Sequence, residues 1–519
     1  MASSSSTHAV DIAQAMITAP SPLGEWLVIL PVALCIIVGA VLMLVRKHTF
    51  WHPVIAIPAL VLLVVIDAML LYAVCTTGPI TMVAGRWLPP FGIAFSADIM
   101  SALFALAASI VGLAGAIFAV DDVNRSGRRY GFYPFLMLLL AGVSGAVLTG
   151  DIFNLYVWFE VLLISSFGLL ILGSTHEQLD GAMKYAVLNL IGTTLFLIAV
   201  AYLYAVFGTL NMADVAMRAR DDATLPTATI AALFVLAFGM KAAAFPVNFW
   251  LPASYHTPRT VVSALFGGLL TKVGIYALLR VMVMILPGDL ANLGMLIGIS
   301  AFLTILLAGM GAIAQHDMRR AVGYIVIVGI GNMLAGVAIG SVEGLEGAVF
   351  YALHSIILMT ALYFVTGLAG KLAGGFSIGA IAGLYRRAPA FSGLSLALFF
   401  AAAGLPPFSG FWPKAILVKS ALADGSWWLA AAILIGGFFS TFALGRVFLL
   451  AYWRPAPLGG GGPVIRLSTL EWLPLIGLSA LVIIFGLYPE PLLAVVSRAV
   501  EGILSPEGYF MSVFPGGGL

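Results

Sequence analysis

Long apolar runs separated by short polar turns make up nearly the whole chain. About fourteen runs reach the ~20 residues that a helix needs to cross a bilayer. They cover roughly 24–45, 53–74, 97–120, 132–149, 151–173, 180–206, 227–250, 260–285, 291–314, 321–340, 346–369, 391–422, 427–452 and 470–488. A shorter stretch, 491–504, carries Arg498 and Glu501 and reads as an interfacial helix. The pattern predicts an all-α polytopic membrane protein with no extramembrane domain.

Two runs are interrupted in the same way. Ala242-Ala-Ala-Phe-Pro246, with Phe249-Trp250 following, is echoed by Ala401-Ala-Ala-Gly-Leu-Pro406, with Phe411-Trp412 following. Proline removes an intrahelical hydrogen bond, and lipid tolerates this only where protein or a water-filled cavity meets the freed groups. The echoes fall in runs seven and twelve, five apart, so the two copies cross in opposite directions. This predicts inverted five-helix repeats, runs four to eight against nine to thirteen, with helices seven and twelve broken. Such paired breaks mark ion paths. The expected organisation is a polar tail (1–23), helices one to three (24–130), a first repeat (132–285), a second repeat (291–452), and helix fourteen with a tail (470–519).

Composition agrees with this reading and narrows it. Hydrophobic residues are 62% of the 519 and charged residues 9%, against roughly 25% charged in soluble proteins. The net charge of +2 gives no reason to expect nucleic acid. Met1 to Pro20 holds no Lys or Arg, so it reads as a polar tail and not as a signal peptide. With Met1 outside, thirteen Lys and Arg fall in inside loops and only Arg86, Arg218, Arg220 and Arg498 lie outside. That bias places both termini outside a prokaryotic plasma (inner) membrane. Cys35 and Cys75 lie in or beside apolar runs and form no metal or iron–sulfur cluster. There is no metal-spaced His pair and no Walker-type loop; Gly459 to Gly462 is an inside-loop linker. No metal or other cofactor is expected.

What remains is a small set of charges where charge is costly. A charge at the bilayer centre costs roughly 2.5–3.5 kcal/mol on insertion scales, so it signals function. Glu160 in run five, Lys241 before the first break, Lys272 in run eight and Lys414 after the second break form the central set. A row of lysines with one glutamate passes a proton if the Glu160 pairing forms and breaks. Static ion pairing or snorkelling to an interface is the plainer alternative. His354 in run eleven is a further relay candidate. Lys184 near the inner end of run six either reaches Glu160 or sits at the interface, Lys419 is an outer exit group, and His256 is a loading group near the inner end of the break. Asp67 in run two has no evident partner: it is protonated, meets another subunit or lines a second path. Asp98, Asp151 and Asp317 stand at span ends, where helix capping is expected.

Several of these segments carry a family likeness. Gly85-Arg-Trp87-Leu-Pro89-Pro90-Phe91-Gly92-Ile93 with Asp98 resembles the segment before helix three of the large Mrp-type cation/proton antiporter subunits. Glu160, Lys241 before Ala-Ala-Phe-Pro, Gly268-Leu-Leu-Thr-Lys272-Val-Gly, Asp317-Met-Arg-Arg-Ala-Val-Gly-Tyr324 and Pro406-Pro-Phe-Ser-Gly-Phe-Trp-Pro-Lys414 are similar to motifs shared with the proton-pumping subunits of respiratory complex I. The likeness spans roughly residues 85–450. The length resembles the D-type subunits of the Mrp family, which lack the long C-terminal extension of the A-type ones. It implies a proton-translocating subunit of a multisubunit Na⁺(cation)/H⁺ antiporter, a transporter and not an enzyme. The implied partners are an A-like large subunit and small membrane subunits, and the ions are H⁺ with Na⁺ or another monovalent cation. It also implies that Glu160 and Lys241 are the input-side pair, Lys272 the connecting lysine and Lys414 the output-side lysine. Many relatives have a lysine four or five residues after the run-eleven histidine; here those positions are Leu358 and Met359, so the central connection rests on His354 and water. The alternatives are a proton-pumping membrane subunit of a redox complex, of the NADH:quinone oxidoreductase or membrane-bound hydrogenase kind, and a stand-alone solute transporter.

Overall fold

The computed structural model describes residues 16–17, 20–85, 87–221, 224–455 and 466–515. Most of the polar tail, Arg86 and the linker at 459–462 lie outside them. The expected helices are present as α1 (Leu23–Leu44), α2 (Trp51–Thr77), α3 (Ile99–Asp122), α4 (Phe132–Leu148), α5 (Ile152–Leu170) and α6 (His176–Phe207). Run seven is two pieces, α7 (Thr227–Ala242) and α8 (Trp250–Ser254). Then follow α9 (Thr260–Ile285), α10 (Pro287–Ala314), α11 (Met318–Ile339) and α12 (Val342–Ala373). Run twelve is again two pieces, α13 (Pro389–Ala403) and α14 (Phe411–Ala423), before α15 (Trp427–Trp453) and α16 (Thr469–Leu487). The amphipathic α17 (Glu490–Leu504) and α18 (Glu507–Val513) close the chain. Eleven of the described helices are long and apolar enough to cross a membrane: this is a multi-pass membrane protein.

One departure from all-helix concerns the segment of the Trp-Leu-Pro-Pro-Phe-Gly-Ile motif. Strands β1 (Ile80–Ala84) and β2 (Ile93–Ala97) pair antiparallel, with Ile80 opposite Ala97 and Ala84 opposite Ile93. The motif itself forms the connection between them. Pro89 and Pro90 cannot donate to a ladder, and a Cβ on Gly92 would sit 2.1 Å from the Trp87 carbonyl oxygen, so only glycine closes the loop there. Thr81 Oγ1 then bonds Ser96 Oγ (2.8 Å) and Ser512 Oγ (2.9 Å), joining the hairpin to α18.

Burial sorts the helices into centre and rim. α9 and α12 bury the whole of their apolar stretches, whereas α1 and α2 bury 33%. The two central helices approach closely because α9 carries Gly267 and Gly268 where they meet. A Cβ on Gly268 would lie 2.3 Å from Thr360 Oγ1, and one on Gly267 would lie 2.5 Å from the Tyr363 ring. Small residues at such crossings are how helices pack when lipid supplies no hydrophobic drive between them.

A constant sequence interval relates two stretches of the fold. Asp151 and Asp317 cap α5 and α11; Thr175 and Ser341 cap α6 and α12; Gly208 and Gly374 end α6 and α12 with left-handed φ. α6 and α12 are each 32 residues. Asp151 and Asp317 even make isolated bridges to equivalent positions, Asn211 and Ser377. The same caps recur because each side-chain oxygen meets amide groups that the first helical turn leaves without partners.

Candidate functional site: a buried cationic row across two helix breaks

The row begins at the first break. α7 stops at Ala242 because Ala243 turns left-handed (φ 63°). The groups freed by the break are met from neighbouring elements: Ser300 Oγ of α10 donates to the Phe245 carbonyl (2.8 Å), the Phe245 amide donates to Thr304 Oγ1 (2.9 Å), and the Trp250 indole donates to the Met240 carbonyl (3.2 Å). Lys241, the next-to-last residue of α7, is 4% exposed, and its ammonium has no hydrogen-bond partner among the described residues. It faces the Phe159 ring at 5.6 Å. Glu160 is half-buried one residue further along α5, interacts with Tyr156, and lies within electrostatic range of Lys241.

Lys272 stands on α9, 1% exposed, just after a stretch of π-helix at Phe266–Leu270. Widening the helix turns a carbonyl away from the ordinary ladder, and Lys272 Nζ donates to Gly267 O at 2.5 Å. His354 on α12 (2% exposed) shares a 2.8 Å hydrogen bond between its Nδ1 and Ser409 Oγ in the second break, and feels the charges of both Lys272 and Lys414. At that break α13 stops at Gly404 (φ 84°) and α14 begins at Phe411. Lys414 (8% exposed) reaches back across the gap and donates to the carbonyls of Ala402 (3.2 Å) and Ala403 (2.7 Å). Lys241, Lys272, His354 and Lys414 thus lie inside the protein while Glu160 is half-buried, with His354 in electrostatic contact with the lysines of α9 and α14.

The secondary candidates are placed differently. Lys184 does not bond Glu160; it pairs with Asp180 one turn away at 2.5 Å, half-exposed, because its position near the start of α6 puts it at the surface. It lines a polar cavity of 540 Å³ together with Glu177, Asp180, His256, Arg319 and Arg320. In that cavity His256 Nδ1 bonds Pro252 O (2.9 Å) and its Nε2 accepts from Arg320 (3.0 Å). Burial, and then the nearby Arg320 and Arg319, hold the His256 imidazole down to about 4. Lys419 pairs with Glu343 at 2.8 Å on the exposed rim. Asp67 is fully buried in α2 with neither carboxyl oxygen hydrogen-bonded; Ser109 of α3 is its polar neighbour, and no contact among the described residues joins it to the row.

Some residues were not singled out from sequence. Asn189 on α6 and Asn332 on α11 are buried with unpartnered amide atoms, Asn189 beside Lys241 and Asn332 beside Tyr351, whose ring lies 5.7 Å from that of His354. Uncharged amides in apolar runs carry little signal in a charge count, although any unpaired amide in lipid is costly. Asp98, expected only to cap α3, does so through Ser101 and also binds Arg280 with both carboxyl oxygens (2.6 and 3.0 Å), both side chains buried. The two residues are far apart in sequence, so no local pattern announces the pair. It fastens α3 to the end of α9 and reads as an anchor.

Comparison with known proteins fits this geometry. Residues 149–440, which hold every residue of the row, match the family described as NADH:quinone oxidoreductase/Mrp antiporter, TM. The D subunit of the Na⁺/H⁺ antiporter of Alkalihalophilus pseudofirmus is 37% identical over 94% of this chain and 99% of its own. The chain belongs to the D-type subunits of the Mrp antiporter family. A chain in the Mrp complex structure from Dietzia sp. DQ12-45-1b superposes on this D-type chain with a TM-score of 0.88 at 27% identity, covering 95% of this chain and 100% of that one. A chain of the archaeal membrane-bound sulfane sulfur reductase, a respiratory complex, gives 0.87 at 29% identity over 94% and 99%. The D-type architecture is therefore shared between antiporters and redox complexes, and the fold alone does not separate them.

Proposed function

We propose that this chain is the proton-translocating subunit of a multisubunit Na⁺(cation)/H⁺ antiporter, and is a transporter and not an enzyme. Protons pass along Glu160, Lys241, Lys272, His354 and Lys414, and their downhill movement drives cation export. The observation that carries this is the buried row itself: three lysines and a histidine deep in apolar helices, each beside a helix break or a widened turn that frees backbone acceptors. A static structural charge has no use for an ammonium without a hydrogen-bond acceptor, and the Lys241 ammonium has none among the described residues.

The row sits on inverted five-helix repeats, 132–285 and 291–452, within about fourteen crossings, with helices one to three (24–130) before them and helix fourteen with the tail (470–519) after. The matched caps at Thr175 and Ser341 and the matched breaks at Ala243 and Gly404 support this division. Both termini lie outside a bacterial plasma membrane. The polar cavity at His256 is then the inner mouth, with Lys184 on its rim, and Lys419 stands at the outer exit. Asp67 belongs to a separate site. The partners are an A-like large subunit and small membrane subunits of the same complex.

The test is cation-induced pH change in everted vesicles carrying the whole complex. Lys241→Ala and Glu160→Ala abolish it while the subunits still co-purify; full activity in both variants removes the relay. A second reading, a proton-pumping subunit of a redox complex, is favoured by the likeness to the sulfane sulfur reductase chain. A mild-detergent pull-down separates the two. Small membrane subunits with a second antiporter-like subunit support the antiporter, whereas iron–sulfur or flavin subunits support the redox pump.

A further inference from the structure

Three buried lysines stand in the row, and they differ in what their ammonium groups touch. Lys272 has the Gly267 carbonyl and Lys414 has two carbonyls of the second break. Lys241 has none among the described residues; at its break the Met240 and Phe245 carbonyls accept from the Trp250 indole and from Ser300. A buried ammonium without an acceptor is far costlier than one with a single good one.

One unused acceptor lies at hand. Asn189 on α6 is 3% exposed, and its amide orientation is set by its own hydrogen bond: Nδ2 donates to the Tyr185 carbonyl at 2.9 Å. A backbone carbonyl takes only the NH₂ end, so Oδ1 faces the other way, and it has no partner. Asn189 and Lys241 line the same enclosed space, with Thr193, Phe159, Phe196 and Phe238 around them. Its cavity volume is 10 Å³, about what one water needs. The aromatic walls offer no competing acceptor; Thr193 Oγ1 donates to the Leu190 carbonyl (3.1 Å), and its remaining lone pairs make it a second side-chain acceptor in this space, weaker than an amide oxygen.

We infer that Asn189 Oδ1 is the docking acceptor of Lys241, reached directly or through one water, and holds the ammonium on the α6 side when it is not paired with Glu160 of α5. Asn189 is thus a positioning residue for the proton step. It gives Lys241 two alternative partners on two helices, one charged and one neutral, so that leaving Glu160 does not strand the ammonium in an apolar pocket. The second half of the fold has a counterpart at the same sequence interval. Ser355, which stands to α12 as Asn189 stands to α6, is fully buried beside His354 with an unpartnered hydroxyl.

This rests on the relay reading, and the experiment keeps the two apart. The whole complex is expressed with Asn189→Ala, Asn189→Ser or Lys241→Ala, and cation-driven pH change is measured in everted vesicles beside subunit co-purification. Alanine and serine lose the Tyr185 bond and the amide volume alike and differ by one hydroxyl. Losing an acceptor for a charged group slows turnover about ten- to hundredfold, so Asn189→Ala falls by that factor while Asn189→Ser, which keeps an acceptor and room for water, stays within about threefold of the unaltered complex. Equal activity in the alanine and serine variants, high or low, overturns the inference, as does failure of both to assemble, which makes Asn189 a packing residue. Those results with Lys241→Ala inactive leave the relay standing; an active Lys241→Ala takes down the relay itself.

Discussion

The two helix breaks use one backbone device and assign the lysine opposite parts. In both, an apolar half-helix ends in a left-handed residue, Ala243 or Gly404, and a short second half begins at an aromatic residue, Trp250 or Phe411. At the first break, Ser300, Thr304 and the Trp250 indole meet the freed backbone, and Lys241, on the preceding half-helix, has no hydrogen-bond partner among the described residues. At the second, Lys414 itself, on the following half-helix, meets the freed carbonyls of Ala402 and Ala403. One ammonium is free to change partners; the other is part of the helix end it crosses. A broken helix in lipid must be repaired by something, and what repairs it decides whether the nearby charge is mobile.

The strongest way to break this comparison is to remove each lysine. Lys241→Ala and Lys414→Ala both abolish transport, but their effects on thermal stability of the purified complex diverge. Lys414→Ala strands two carbonyls and lowers stability by about 1–3 kcal/mol, whereas Lys241→Ala removes an unpartnered charge and leaves stability unchanged or higher. Equal melting temperatures for the two variants would erase the distinction.

Exchanging the left-handed residues comes next. In Gly404→Ala the new Cβ falls 2.6 Å from Lys414 Cδ and 2.9 Å from Nζ, in a backbone with φ 84°. It should cost roughly 2–3 kcal/mol and suppress transport by pushing the ammonium off its carbonyls. Ala243→Gly relieves an alanine held at φ 63° and should leave stability within about 1 kcal/mol with transport intact. Denaturation of the complex and vesicle assays on the pair measure both.

A smaller effect sharpens the role of α10. Ser300→Ala with Thr304→Val removes both side chains that serve Phe245 and should destabilise by about 1–2 kcal/mol. Transport declines with the break's order, read out as faster proteolysis near residue 245.

The smallest concerns the polar cavity at His256, beside the first break. Burial together with Arg320 and Arg319 lowers His256 to about 4, so the folded protein favours the neutral ring. The stability this contributes is present at neutral pH and is lost as pH falls from the ordinary histidine value toward 4. Arg320→Gln removes one of those charges and raises His256 toward its ordinary value. Diethylpyrocarbonate, which modifies the neutral ring, should then react with His256 more slowly at about pH 5 than at about pH 7, a dependence weaker in the unaltered protein.

Helices were legible because lipid forces them to be: every apolar run appears as a helix or a pair of half-helices. The breaks were legible through Pro246 and Pro406, and the depth of Lys241, Lys272, His354 and Lys414 through their place in apolar runs. Other features left no such trace. Ala243 adopts a glycine conformation without being glycine, so residue type concealed where the first half-helix ends. The β1–β2 hairpin shows no period-two pattern to read: β2 is buried on both faces from Ala94 to Ala97, whereas β1 is half-buried from Ile80 to Val83. Asn189, Ser300 and Thr304 do their work as neutral groups, which a search for charges passes over, and the Asp98–Arg280 pair links residues that only the tertiary fold brings together. The sequence could rank charges by depth, but the quality of each charge's partner is a property of packing.

The bond between Thr81 and Ser512 joins residues 431 positions apart, and this sets a schedule for biosynthesis. At a ribosomal pace of about 5–20 residues per second, the hairpin emerges roughly twenty to ninety seconds before the helix that completes its outer edge. During that interval its serine and threonine hydroxyls face water or the insertion machinery, and the nascent protein holds its first three helices without their final clasp. Chains truncated ahead of Ser512 remain in that condition, open to quality-control proteases even when every membrane crossing has been inserted.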